Sequence, residues 1–314
     1  MQYIIKNSNN TKLIAYLKLF IVVLTWGSIY HFAKILVSDT DVYTVAFVRF
    51  FIASIILLLL YYKKNNSIKL QYSKSEYLLL FFIGFFGIFL NNLLFFKVEH
   101  LIPANDVAIL YSLTPCLAVV IGVFVFKNKL NILSYIGLFI ALFGTILILS
   151  LSDTKCHNKF ICAQFLQGAS VGDLIALFAS SSMAIYSVLN KKASFLKIDT
   201  LSITTISNII GTILLFITFL LYGAPLSNLL HKDFNFWFAM LYVAIFPTVI
   251  AYFWYSDSIR DLGITKTVVC LNGVPLFAII IGAMFFKQSI SLDVLIAGLI
   301  IISGVTITNI NKNI

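Results

Sequence analysis

Apolar residues in this chain come in long blocks, and the short polar segments between them hold most of the lysines. Ten blocks of about 20 residues each, the length a bilayer-crossing helix needs, can be marked. They fall near 13–36, 42–62, 77–97, 105–126, 132–151, 171–190, 201–222, 236–256, 264–286 and 292–310. At about 1.5 Å rise per residue, each spans a hydrocarbon core of roughly 30 Å. Backbone groups cannot stay unpaired in lipid, so the pattern predicts an all-α membrane protein of ten transmembrane helices. A β-barrel would instead show short alternating segments.

The blocks repeat. Pro115, Gly122, Phe126-Lys127 and Gly144 return as Pro275, Gly282, Phe286-Lys287 and Gly304, each pair 160 positions apart with no gap. A looser match sets Ile29-Tyr30 against Ile185-Tyr186. The halves are expected at 1–152 and 171–314, joined by an outer loop at 153–170. Five spans per half is an odd number, so the second copy sits upside down relative to the first. Inverted repeats of this kind are a recurring architecture of secondary transporters, with the substrate site near the midplane where the halves meet.

Composition agrees with this. The chain is 61% hydrophobic and only 11% charged, against roughly half and a quarter in soluble domains. The net charge of +10 is spread over short loops rather than gathered in one patch, which argues against nucleic acid as a partner. With the N-terminus inside, the cytoplasmic segments carry most of the basic residues, including Lys63, Lys64, Lys69, Lys74, Lys191, Lys192 and Lys197. That bias predicts both termini in the cytoplasm. The first apolar run is too long for a signal-peptide core and lacks a small-residue cleavage site, so it is expected to stay as helix 1. Cys156 and Cys162 share the outer loop, where a disulfide would need an oxidising compartment. The four cysteines make no metal spacing, no Walker A sequence is present, and neither cofactor nor metal is expected.

Polar residues inside the spans are the candidates for chemistry. Arg49 falls about 10 Å into helix 2 at the helical rise. A charge at that depth costs roughly 3 kcal/mol or more on insertion scales, so it should meet a partner or a wet cavity. Its planar fork suits a carboxylate or phosphate; the alternative is a structural clamp on helix carbonyls. Trp26 and Tyr30 lie one turn apart on one face, and with Tyr111, Tyr186 and Tyr252 they are candidate cavity walls. Tyr255, close to a predicted helix end, fits an interfacial belt better. Asn91, Asn92, Asn190 and Asn272 are candidate cavity groups, with interhelical hydrogen bonding the rival role for them and for Asn208. His31 is either a protonation switch or a bonded structural residue. Glu99 and Asp257 sit near span ends, where solvation accounts for them. Pro115 and Pro275 each remove a backbone donor and kink their helices, so they are candidate hinges.

Taken in order, Trp26-Gly27-Ser28, Phe47-Val48-Arg49-Phe50, Gly87-Ile88-Phe89-Leu90, Leu113-Thr114-Pro115, Gly172-Asp173 and Pro275 resemble the EamA-type family of the drug/metabolite transporter superfamily. The likeness covers nearly the whole chain. It departs at Asn128 and Gln288, where family members usually carry glutamate. The resemblance implies ten helices in a 5+5 inverted fold around a central cavity for a small organic solute, with no enzymatic activity. The expected function is secondary transport, by export or exchange, of an amino-acid-like metabolite across a bacterial inner membrane, as a monomer or homodimer. A lipid-linked-substrate flippase and multidrug or dye efflux are the alternatives.

Overall fold

The computed structural model describes residues 9–38, 40–65, 72–102, 104–126, 131–151, 171–286 and 292–309. Cys156, Cys162, Asn128 and Gln288 lie outside them, as does the side chain of Asn272.

The described residues form ten helical segments. The first half holds α1 (Asn9–Ser38), α2 (Val42–Asn65), α3 (Lys74–Leu101), α4 (Ala104–Tyr111 and Thr114–Phe126) and α5 (Ile132–Leu151). The second holds α6 (Val171–Phe195), α7 (Thr200–Tyr222), α8 (Phe234–Leu262), α9 (Ile264–Cys270 and Val274–Phe286) and α10 (Leu292–Asn309). Six of them, α1, α2, α3, α6, α7 and α8, are long and apolar enough to cross a membrane. Shorter apolar helices, Thr114–Phe126, Ile132–Ala141 and Val274–Phe286, accompany them. Phe124, Phe139, Phe178, Leu220 and Phe285 point outward, more than half exposed, as a lipid-facing surface requires.

Helices of one half pack against the counterparts of their neighbours in the other. α1 packs on α8 and α9, while α6 packs on α3 and α4; α2 pairs with α7 and α5 with α10. Glycines set the closest approaches, because without a hydrophobic drive between helices in lipid, backbone proximity supplies the packing. A Cβ on Gly304 would fall 2.4 Å from Ala141 N, and one on Gly144 would fall 2.8 Å from Ile301 Cγ1. Both contacts are the same contact seen from the two halves, since Ala141 and Ile301 are also 160 positions apart. Polar pairs add to the seams. Ser54 of α2 donates to Asn208 Oδ1 of α7 at 2.9 Å, which gives Asn208 the interhelical role.

The offset of 160 also governs the irregular turns. α3 widens into a π-helix at Gly84–Leu90, and α8 does so at Ile245–Ile250. Asn91 N–H reaches back five residues to Phe86 O, and Ala251 N–H reaches back five to Phe246 O. Pro247 explains part of this: it has no N–H to give, so Val243 O takes the Thr248 hydroxyl at 2.7 Å instead. α4 breaks at Ser112–Leu113 and α9 passes through a 3-10 turn at Leu271–Gly273, each just ahead of Pro115 or Pro275. The proline ring clashes with the carbonyl four residues back, so a helix must kink or break at either site.

Candidate functional site

The widened turns free one carbonyl in each half, and both are taken by aromatic side chains. Trp26 Nε1–H of α1 donates to Pro247 O at 2.9 Å, and Tyr252 O–H of α8 donates to Gly87 O at 3.3 Å. Tyr186 of α6, the positional counterpart of Trp26, lies flat against Gly87: a Cβ there would sit 2.0 Å from Tyr186 Cδ2. Trp26 against Pro247 and Tyr186 against Gly87 are thus the same crossing made twice. The looser alignment of Tyr30 with Tyr186 gives way to this one, because these contacts keep the 160-residue register.

Between these crossings lies a cleft of about 630 Å³ of atom-free space, part of it continuous with open solvent. Trp26, Tyr30, Arg49, Asn91, Asn92, Tyr111 and Tyr252 line it, with Pro115 and Pro275 where α4 and α9 break. Tyr30, Phe95 and Tyr111 meet edge to face at 5.6–6.1 Å between centroids and form one aromatic wall. Trp26 and Tyr252, 5.7 Å apart, form another. Offset and edge-on contacts of this kind fix ring positions as well as burying area.

Arg49 is the charge at this cleft. It is 1% exposed, and its Nε donates to Thr248 Oγ1 at 2.7 Å and its Nη1 to Asn92 Oδ1 at 3.2 Å. The guanidinium also lies over the rings of Phe50 and Phe96, at 4.8 and 5.6 Å. Among the described residues no carboxylate pairs with it; the ion pairs are Lys18–Asp257, Lys64–Asp199 and those of Arg260. Asn92 is held in turn, its Nδ2 facing Gly87 O, Ile88 O and the Tyr252 hydroxyl at 3.0–3.1 Å. Tyr111 O–H donates to Asn91 Oδ1 at 3.3 Å. The site therefore offers one fixed positive group, several amide and phenol groups, and flat apolar walls.

Not every candidate gathers here. His31 is buried away from the cleft, Nε2 at 2.7 Å from Ala278 O and the ring stacked on Phe286. Tyr186 and Asn190 form a separate buried network: Ser256 donates to Asn190 Oδ1 at 3.0 Å, and Asn190 Nδ2 donates to Tyr186 O at 3.2 Å. The side chain of Asn272 falls outside the described residues, although Leu271 beside it lines the cleft. Tyr255 is fully buried rather than interfacial, its hydroxyl 2.8 Å from Ser187 Oγ and its ring 5.1 Å from that of Trp26. α8 continues past it to Leu262, so the helix end expected near Tyr255 lies further on.

Other groups at the site carry little sequence signal. Thr114, quoted above only for its place before Pro115, brings to the cleft wall a buried hydroxyl that has no hydrogen-bond partner. Ser112 and Met183 also line it. Thr248 is one of many hydroxyls in an apolar span, set apart in the sequence only by following Pro247. Glu99 is buried completely, not solvated, and Asp257 is buried in its ion pairs with Lys18 and Arg260.

The EamA-like transporter family model matches residues 13–150 and again 170–310. An uncharacterized transporter of Bacillus subtilis, YyaM, is 28% identical over 68% of this chain and 66% of its own length. A second from B. subtilis, YetK, is 26% identical over 95% of this chain and 87% of its own. An uncharacterized transporter of Archaeoglobus fulgidus is 26% identical over 95% and 98%. A solved structure described only as a protein crystal structure superposes with a TM-score of 0.66 at 17% identity, covering 93% of this chain and 95% of that one. At that identity the superposition speaks to the fold.

Proposed function

The chain belongs to the EamA-like transporter family, and on that premise we propose that it moves a small organic acid, amino-acid-like in form, through the central cleft by alternating access. The single observation that carries this reading is Arg49, buried at the cleft and paired with neutral acceptors only. A guanidinium out of water is costly unless it is matched, and a substrate carboxylate supplies the match that the described residues do not. Trp26, Tyr30, Tyr111 and Tyr252 are suited to the apolar part of such a solute, and the Thr114 hydroxyl to a further polar group. The second pieces of α4 and α9 start beside the cleft at Thr114 and Val274, and helix starts favour anions.

Movement in this reading bends α4 and α9 at the breaks before Pro115 and Pro275, where the helices lack continuous backbone bonding, and α1, packed on α9, moves with it past the rest of its own half. The lysine distribution supports cytoplasmic termini in a bacterial inner membrane, and the boundary between halves falls in 153–170. A cationic dye fits less well, because an unmatched Arg49 repels it.

The reading is tested by counterflow into proteoliposomes from a labelled panel of amino acids, nucleosides and cationic dyes. Saturable flux of the amino acids alone is the expected result. Flux of dyes with none of amino acids would replace this proposal with drug efflux.

A further inference from the structure

Outside the cleft lining, α3 ends on a buried acid. Glu99 is 0% exposed, and neither carboxyl oxygen has a hydrogen-bond partner. Lys34 of α1 comes up to the last turn of α3, but its ammonium donates to the backbone carbonyls of Glu99 and Ile102 and not to the carboxyl. Lys34 stands one helical turn beyond Tyr30, which lines the cleft. Tyr30 and Tyr111 line the cleft, and Glu99 does not.

A carboxylate removed from water with no donor to hold it is far less stable than the neutral acid. The neutral acid is therefore the form this conformation accommodates. The competing form is close at hand: a shift of α1 along α3 would move the Lys34 ammonium from the carbonyls to the carboxylate, giving an ion pair. Among the described residues, the other charged groups at this end of the bundle are engaged elsewhere or exposed. Lys97 lies over the Tyr43 ring, and Asp41 at the head of α2 accepts from Ala224 N–H; His100 is exposed.

We propose that Glu99 is a proton-binding site that couples solute movement to a proton gradient. In this conformation the carboxyl carries its proton, and Lys34 rests on the backbone. When α1 moves with the alternating cleft, Lys34 reaches the carboxyl, the O–H bond breaks, its electron pair stays on the carboxylate, and the proton passes to water at that end of the bundle. The return step reverses this exchange. Nothing is oxidised or reduced. The coupling rests on the transporter reading above, while the protonation of Glu99 does not.

Two readouts keep them apart. Infrared spectra of the full-length protein in liposomes of neutral lipid, taken across a pH series, report the protonated carboxyl directly. A band present at neutral pH in wild type and lost in Glu99→Gln is expected; an unchanged spectrum would overturn the assignment. Lys34→Met, which removes the counter-charge of the ionised form, should carry the band to higher pH, a shift that a merely structural role would not produce. For coupling, amino acid uptake driven by a pH gradient should be abolished in Glu99→Gln while counterflow without a gradient survives. Gradient-driven uptake that persists in Glu99→Gln would refute the coupling. Absence of any amino acid flux in wild type would remove the transporter reading and the coupling together, and the infrared band would still decide whether Glu99 holds a proton.

Discussion

Asn92 and Tyr252 occupy equivalent positions in the two halves, 160 residues apart, and they meet at the centre of the molecule with Asn92 Nδ2 3.1 Å from the Tyr252 hydroxyl. Each follows a π-helical segment, and both reach the Gly87 carbonyl that the wider turn leaves open. The duplicated scaffold has thus diverged at one matched position into a donor amide and a phenol. Arg49 is docked on the amide side of that pair. The proposed site lies where the repeat is structurally the same and chemically different.

Replacing Arg49 separates stability from transport. A buried charge without an opposite charge contributes little to folding, and an apolar residue of similar size is tolerated. Arg49→Met should hold folding within about 2 kcal/mol of wild type, the Asn92 carbonyl being the group left unsatisfied. Solute flux should be lost in the same protein. Thermal unfolding in detergent and counterflow on one preparation check both halves of this expectation.

Gly87 should tolerate no side chain. The Cβ of Gly87→Ala would fall 2.0 Å from the Tyr186 ring, so α3 and α6 must separate, at a cost above about 2 kcal/mol. Gly122→Ala is the contrast. Its Cβ would meet only ordinary contacts, at 3.9 Å or more, and replacing a mid-helix glycine should be neutral or gain up to about 1 kcal/mol. Yield of folded protein and melting temperature distinguish the two.

Trp26→Phe retains a ring against Tyr252 and Tyr255 but leaves Pro247 O without its indole donor. The loss should be about 1 kcal/mol of stability. Because Trp26 also lines the cleft, the apparent KM for solute should rise. A variant with unchanged KM would take Trp26 out of the binding surface.

His31→Gln should behave otherwise. The imidazole is bonded to Ala278 O and stacked on Phe286 away from the cleft. Melting temperature should fall, and the pH dependence of flux should keep its wild-type shape. A changed pH profile would give His31 the switching role that its geometry does not support.

Much of this was legible in the sequence because lipid makes polar residues conspicuous. Arg49, Asn91 and Asn92 stand out in apolar runs, and Pro115 and Pro275 announce the breaks that the structure contains. Glycines carry less information. Gly122 and Gly144 look alike in the repeat, yet Gly144 is pressed against α10 and Gly122 is not. Sequence spacing marks a small residue without saying which neighbour needs the room. Glu99 and Tyr255 differ from the sequence expectation for a related reason: nearness to a helix end in the sequence suggests contact with water or with the membrane interface. Neighbouring helices cover both, and coverage depends on tertiary packing. The π-helical turns left only a trace in Pro247, and Gly87 carries no such mark because any residue has a carbonyl to give.

The central claim is that Arg49 holds the carboxylate of the transported solute. The direct measurement is competition by an amino acid and by its carboxamide against labelled counterflow, in wild type and in Arg49→Gln. A charge-assisted bond contributes about 1.5–3 kcal/mol, so wild type should prefer the acid by about tenfold or more. That preference should collapse in Arg49→Gln through weaker binding of the acid, with the amide little changed. An acid preference that survives intact in correctly folded Arg49→Gln would contradict the account and leave Arg49 as a clamp between α2, α3 and α8.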